Sequence, residues 1–336
     1  MPRVLIRVGH SADPDDAFMF WALDAGKVDA RGLSFEQVVS DIQTLNEWAT
    51  EGRLEVSAIS LGAYPAVADR YVLLPHGASI GSGYGPVVVT REPADIERLR
   101  GLEIVIPGRL TTAYLVLRLA LGEDVRVREL PFDRIIDEVA SGRADAGVVI
   151  HEGQLTYGAA GLQKALDLGE WWLLETGLPL PLGVNVARRD LGDLLPDVSD
   201  VLGEAIRTGL TNRGEAMEYA RRFGRGIDEA TTDRFVAMYV NDMTCDYGDE
   251  GRQAVAELLP DVSDVLGEAI RCGLEHRGEA MAYARRFGRG IDEATTDRFV
   301  AMYVNDMTCD YGDEGRQAVA ELLRRAGSGT IAEFAA

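Results

Sequence analysis

The stretch TGLPLPLGVNVARRDLG, residues 176–192, decides how the chain is divided. It combines two prolines with several glycines, a composition typical of a crossing between domains. A second crossing is predicted at residues 90–102, TREPADIERLRGL, which are charged and include a proline. A segment bracketed by two crossings is a domain inserted in another domain. We therefore predict a larger lobe from residues 1–91 and 185–257 and a smaller lobe from 92–184, joined by a two-stranded hinge beside a central cleft.

Strand and helix signals alternate through residues 1–193. Short apolar runs such as RVLIRVG (3–9) and LSFEQVV (33–39) predict strands. A longer run, TTAYLVLRLALG (111–122), predicts a helix, and DIQTLNEWATEG (41–52) predicts a helix that a glycine closes. This order predicts an α/β fold with mainly parallel sheets, in which ligands bind at the carboxyl ends of the strands.

The composition excludes several classes of protein. The net charge of -21 argues against binding to nucleic acid or to an anionic membrane surface, because both need a basic protein surface. The 3 cysteines form no CxxC pair and there are only 4 histidines, so we expect neither a disulfide framework nor a metal site. The sequence shows no secretory signal and no long apolar run, and we expect a cytoplasmic protein.

The C-terminal third contains a tandem repeat. Residues 194–257 recur at 258–321 with differences only at the positions equivalent to 208, 211, 212 and 218. The unit is predicted to be helical, with one apolar stripe formed by Val198, Val201, Leu202, Ala205, Ile206 and Leu210. One fold offers one surface for these helices, so we expect residues 258–336 to form an extra helical unit if the first copy packs on the core. Which copy packs on the core stays open. The choice between a natural duplication and an assembly artefact also stays open. The exposed apolar stripe of a surplus copy would favour a homodimer or domain swapping.

Polar loops follow several predicted strands and should face the cleft. In GHSADPDD (9–16), Asp13 is expected to cap the next helix, and the carboxylates at 13, 15 and 16 are expected to be helix-start residues rather than metal ligands. In PGRLTTA (107–113), a helix begins at Thr111-Thr112-Ala113, where free N–H groups and two hydroxyls predict an anion site. A purely capping role for the two threonines stays open.

The stretch AGVVIHEGQLTY, residues 146–157, predicts a buried strand that ends on His151-Glu152. A histidine at a strand end is either a satisfied structural group or a general base. Glu152 is expected to point away from His151, because neighbouring side chains on a strand face opposite sides.

Several of these motifs together resemble one enzyme family. HSADPDDAFMFWAL (10–23), DIQTLNEWA (41–49), ISLGAYPAVADRYVLL (59–74) and PGRLTTAYLVLRL (107–119), with VVIHEGQLTY (148–157), look like the 1,4-dihydroxy-6-naphthoate synthases of the futalosine route to menaquinone. The chain departs from the family pattern in the first loop, where an alanine replaces a proline, and in length, because the family ends after one C-terminal unit.

The resemblance implies a two-lobed fold like that of the type II periplasmic binding proteins. It implies a carbon-carbon lyase that converts cyclic dehypoxanthine futalosine, a small carboxylate, into 1,4-dihydroxy-6-naphthoate without a cofactor. His151 would be the general base, and substrate-binding residues would be Ser11, Asp16, Asn46, Ser60, Thr111, Thr112 and Ala113. The alternatives are the chorismate dehydratase sibling of the same pathway, a cytoplasmic protein that binds a small carboxylate without turnover, and a non-functional duplication product.

Overall fold

A computed structural model describes residues 3–224 and 227–259 of the chain. The strands are β1 (Val4–His10), β2 (Leu33–Val39), β3 (Val56–Ser60), β4 (Tyr71–Leu73), β5 (Ser79–Gly81), β6 (Val87–Thr90), β7 (Glu103–Ile106), β8 (Arg126–Glu129), β9 (Ala146–Val149), β10 (Gln163–Asp167) and β11 (Leu180–Arg188). The α-helices are α1 (Pro14–Asp24), α2 (Ile42–Glu51), α3 (Ile96–Arg100), α4 (Thr112–Leu121), α5 (Ile135–Ala140), α6 (Gly153–Thr156), α7 (Leu168–Thr176), α8 (Leu195–Thr211), α9 (Arg213–Ala220), α10 (Glu229–Tyr239), α11 (Asp242–Cys245) and α12 (Gly248–Leu258).

These strands form two sheets, as the predicted two-lobed α/β fold requires. The first sheet has the order β2-β1-β3-β11-β4, with β5 also paired to β11. The second sheet has the order β10-β6-β9-β7-β8. The expectation of mainly parallel sheets is only half right. β1 pairs in parallel with β2 and β3, and β7 with β8 and β9, but every pairing of β6 and β11 is antiparallel.

β6 and β11 are antiparallel to their neighbours because they carry the chain into and out of the second sheet. The pairing of β6 also shifts the predicted division, since residues 87–90 precede the crossing expected at 90–102 and already belong to the second sheet. β11 begins at Leu180, before the expected boundary at 185, and already belongs to the first sheet. The lobes that we propose are therefore residues 3–86 with 180–259, and residues 87–179.

The first copy of the repeat packs on the first sheet. From the predicted stripe, Val198, Leu202, Ala205 and Ile206 are fully buried in a cluster with Ile6, Val8 and the aromatic residues of α1. α1 is apolar on all sides, AFMFWA, because α8 and α9 cover the face that the sheet leaves open. The second copy, from residue 260 onward, lies outside the described residues. α1 is thus held between layers, which fixes the loop that precedes it.

Local sequence rules account for most of these elements. β2 has the predicted span, and α2 ends at Gly52, whose φ of 69° suits glycine. Residues 132–134 form a turn of 3-10 helix, and α5 begins after Arg134 without a side-chain cap. No helix within the described ranges has the length and apolarity that crossing a bilayer requires.

Candidate active site

A cavity lies where the ends of both sheets meet, with about 700 Å³ of empty space when its opening to solvent is included. Its wall combines residues from the loop after β1, the end of β3, the start of α4, the turn after β9, β11 and α10. The lining residues used below are Ser11, Asp13, Asp15, Asp16, Ser60, Ser79, Thr111, Thr112, Ala113, His151, Gln154, Phe235 and Tyr239. Seven of the eight predicted site residues are in this wall, and only Asn46 is not. The described part of the chain contributes no lysine or arginine to it.

His151 occupies a turn immediately after β9. Its φ of 53° is in the left-handed region, which costs a non-glycine residue energy and points the imidazole away from the direction of the strand. The ring contacts the edge of Phe132, with 4.8 Å between ring centroids, and lines the cavity. Glu152 lines a separate groove. Both residues lie in the turn after β9 and not on the strand that was expected to direct them to opposite sides.

The imidazole of His151, which follows β9 of the second sheet, contacts a carboxylate in the loop that follows β1 of the first sheet. Its Nδ1 lies 2.6 Å from Oδ2 of Asp13, and both side chains are largely buried. The hydroxyl of Ser11 donates to the same Oδ2 at 2.7 Å. Asp13 stands at the N-cap position of α1, but its side chain makes no capping hydrogen bond, so the expectation of a simple cap is wrong. The contact with Asp13 is made through Nδ1 of His151 and helps to fix the orientation of the imidazole.

Asp15 and Asp16 lie beside this pair in the first turn of α1. Asp16 accepts a hydrogen bond from the backbone N–H of Ser11 at 2.7 Å. Burial raises the pKa of Asp16 above the usual range, with His10 opposing the shift. Burial also raises the pKa of Asp15 well above that range, and the charges of Asp16 and Asp13 add to the effect. The loop thus concentrates carboxyl groups in a site that binds protons readily.

The start of α4 forms the opposite wall. Thr111 caps the helix, because its hydroxyl oxygen accepts from the N–H of Tyr114 at 3.2 Å. The hydroxyl of Thr112 accepts from the N–H of Gly62 at 3.0 Å and donates to the carbonyl of Leu182. Both threonine hydroxyls are therefore engaged within the protein.

The backbone N–H groups of Thr112 and Ala113 remain available to a ligand. Within the described residues neither has an acceptor, and both residues line the cavity. Gly62 allows this approach of the two lobes, since a Cβ there would lie 3.1–3.2 Å from the backbone of Thr111 and Thr112. A helix N-terminus with free N–H groups binds anions, so this end of α4 can hold a carboxylate.

Asn46 does not line the cavity and supports Ser60 from behind. Its side-chain oxygen accepts from the N–H of Ser60 at 2.8 Å, and its amide donates to the Ser60 hydroxyl at 3.1 Å. It is fully buried. The hydrogen bonds of Asn46 orient Ser60, which lines the cavity, and direct binding of a substrate by Asn46 stays a prediction.

An aromatic wall comes from the first copy of the repeat, which the sequence analysis did not connect with the site. Tyr239 donates from its hydroxyl to Oε1 of Gln154 at 2.8 Å and meets the ring of Phe235 edge-on. Burial raises the pKa of Tyr239, so its phenol stays protonated. Both rings lie on α10, and only the tertiary structure places them at the cavity.

The described residues contain no group of three histidine, cysteine, aspartate or glutamate side chains placed to hold a metal ion. His10, the other histidine near this loop, bonds Ser11 and Gln37 and does not line the cavity. The geometry is that of an acid-base site facing an anion-binding helix start.

Comparison with known proteins identifies the family of this chain. The family model described as menaquinone biosynthesis matches residues 6–262 and, a second time, residues 256–328. The chain belongs to the menaquinone biosynthesis family. One relative, the 1,4-dihydroxy-6-naphthoate synthase of Thermus thermophilus, is 42% identical to this chain over 255 residues. The alignment covers 76% of this chain and 92% of the relative.

Solved structures support the fold of this family member. A crystal structure of an Archaeoglobus fulgidus protein is 46% identical, with a TM-score of 0.72 over 76% of this chain and 95% of the other. The alkanesulfonate-binding protein of Xanthomonas axonopodis shares the fold at 15% identity, with a TM-score of 0.55 over 71% of this chain and 85% of the other. The predicted fold, like that of periplasmic binding proteins, is confirmed.

Proposed function

We propose that this protein is a 1,4-dihydroxy-6-naphthoate synthase, a carbon-carbon lyase that converts cyclic dehypoxanthine futalosine into 1,4-dihydroxy-6-naphthoate. The observation that carries the proposal is the pairing of His151 with Asp13 at 2.6 Å, opposite the free N–H groups of α4 in one cavity. The named relative from Thermus thermophilus supports the reaction.

His151 is the general base in this proposal. Asp13 accepts a hydrogen bond from Nδ1 and holds the imidazole in the orientation that the reaction needs. His151 takes a proton from the substrate, and the electron pair of that bond moves into the ring as a carbon-carbon bond breaks. The sugar-derived fragment leaves with the electrons of the broken bond and is protonated, and the aromaticity of the remaining product drives the step. A positioned base contributes about 10²–10⁴-fold to the rate of such a step.

The substrate carboxylate binds at the start of α4. The wall offers it no lysine or arginine within the described residues, so the N–H groups of Thr112 and Ala113 and the hydroxyl of Ser60 are the available donors. A carboxylate placed there also keeps its charge away from that of Asp13. The two walls therefore orient the substrate with its acid group toward α4 and its sugar-derived ring toward His151.

The test is incubation of the purified protein with cyclic dehypoxanthine futalosine and detection of 1,4-dihydroxy-6-naphthoate. We expect product from the wild type, and a turnover about 10²–10⁴-fold lower from His151→Ala with substrate binding retained. Glu152→Ala is the matched control, since its side chain lines the other groove, and we expect it to keep turnover close to that of the wild type.

Other outcomes select the alternatives. Near-native turnover by His151→Ala removes the histidine from the mechanism. Turnover of chorismate in place of the cyclic substrate identifies the sibling dehydratase. Tight binding of a small carboxylate by the wild type without any product identifies a binding protein, a function that the same fold also serves.

A further inference from the structure

Asp15 is a buried carboxyl group in the cavity wall to which the mechanism above gives no role. The side chain is 7% exposed. Its Oδ2 accepts a hydrogen bond from the hydroxyl of Ser79 at 3.2 Å. Its Oδ1 has no hydrogen-bond partner among the described residues. A buried polar atom without a partner is costly and is retained where a ligand can satisfy it.

The surroundings of Asp15 favour its neutral form. Desolvation disfavours the carboxylate, and Asp16 and Asp13 are close enough to disfavour a further negative charge. His151 acts in the opposite direction but is already paired with Asp13. Asp16 has its own donor in the N–H of Ser11. Of the three carboxyl groups, Asp15 is therefore the one whose environment best retains a proton.

A neutral carboxyl group has one O–H to donate. Because Oδ2 accepts from Ser79, the hydroxyl belongs on Oδ1, and the described part of the protein offers it no acceptor. Oδ1 itself is buried, but the residue lines the cavity, so a ligand that enters with a rotation of the carboxyl group can supply the acceptor. An anionic acceptor would meet the negative charge of the same loop, so a neutral oxygen fits better.

We propose that the protonated Asp15 is a substrate-binding residue that donates a hydrogen bond from Oδ1 to a neutral carbonyl or hydroxyl oxygen of the substrate. This inference rests on the proposed function for the identity of the substrate. It makes Asp15 a specificity-determining group, since a site built around a donor rejects analogues that lack the matching acceptor.

Two substitutions at this position separate donation from mere packing. Asp15→Asn keeps a donor of the same shape, whereas Asp15→Leu keeps the volume and removes the donor. With cyclic dehypoxanthine futalosine we expect kcat/KM of Asp15→Leu to fall about 10–100-fold and that of Asp15→Asn to fall clearly less. Asp193→Asn, an exposed change outside the cavity, is the control for loss of a carboxyl group.

A second measurement does not depend on turnover. The infrared difference between wild type and Asp15→Asn at neutral pH should contain the C=O band of a protonated carboxylic acid, shifted in heavy water. Absence of that band overturns the inference. Equal damage in Asn and Leu variants, or wild-type kcat/KM in the Leu variant, also overturns it. Failure of the proposed function is a different result, in which the wild type itself forms no naphthoate.

Discussion

Two helices begin at the wall of one cavity, and their first turns have opposite electrostatic character. α1 follows Asp13 and carries Asp15 and Asp16 in its first turn. α4 follows Thr111 and has no acidic residue in its first turn. Every helix N-terminus carries partial positive charge. In α1 the chain places its own carboxyl groups at the positive end of the helix dipole. In α4 the same end has no carboxyl group and can receive one from a ligand.

The difference also concerns what each N-cap side chain does. Thr111 gives its hydroxyl to the backbone of its own helix. Asp13 occupies the equivalent position in α1 but directs its carboxylate to His151 and Ser11. A residue of capping type that does not cap is free to serve a distant partner. In our proposal one helix start provides the carboxylate that pairs with the general base His151, and the other provides the anion site.

The largest expected effect comes from making the start of α4 resemble that of α1. Ala113→Asp places a carboxylate beside the N–H groups that we assign to the substrate carboxylate. Because a like-charge contact costs several kcal/mol, we expect KM for cyclic dehypoxanthine futalosine to rise about 100-fold or more. Ala113→Asn, of the same size without the charge, should show a much smaller rise. Equal KM values for the two variants would place the substrate carboxylate elsewhere.

A smaller effect is expected from removing the charge that distinguishes α1. Asp13→Asn keeps the shape of the side chain but can present its amide rather than an oxygen to Nδ1 of His151. We expect kcat to fall about 10–100-fold, the usual cost of losing a group that orients a histidine, with little change in KM. The pH dependence of kcat should also differ from that of the wild type, because the charged partner of the imidazole is lost. Simple structural damage would lower kcat without changing its pH dependence. An unchanged kcat would show that His151 needs no carboxylate.

The sequence predicts the elements well because their signals are local. The span of β2 follows from apolar alternation, and the start of α4 follows from a capping threonine at 111. β10 and α7, residues 163–176, are left without a prediction, because the alternating pattern of the neighbouring elements is absent there. The antiparallel course of β6 and β11 depends on how the chain crosses between sheets, which a local pattern does not encode.

The site is predictable only in part for the same reason. His151, Ser60 and the start of α4 lie at strand ends or helix starts, where position along the chain already indicates the cleft. Asp13 fits the N-cap rule, so the sequence predicts a capping role for it and gives no indication of a contact with His151. Its contact with His151 joins two sheets and exists only in the tertiary structure. Asn46 is the opposite case. Its position in the sequence indicates the cleft, but its side chain lies behind the cavity wall and holds Ser60 in place.

The smallest expected effect tests whether the two N-cap positions differ as the hydrogen bonds indicate. Thr111→Ala removes the hydroxyl that accepts from Tyr114 and donates to the carbonyl of Gly108 at 2.7 Å. We expect the free energy of unfolding, measured by chemical denaturation, to fall by about 1 kcal/mol, the usual cost of a lost N-cap. Thr111→Ser keeps the hydroxyl and should recover most of that loss. If alanine and serine are equally destabilising, the methyl group rather than the cap stabilises α4, and the contrast with Asp13 loses its basis.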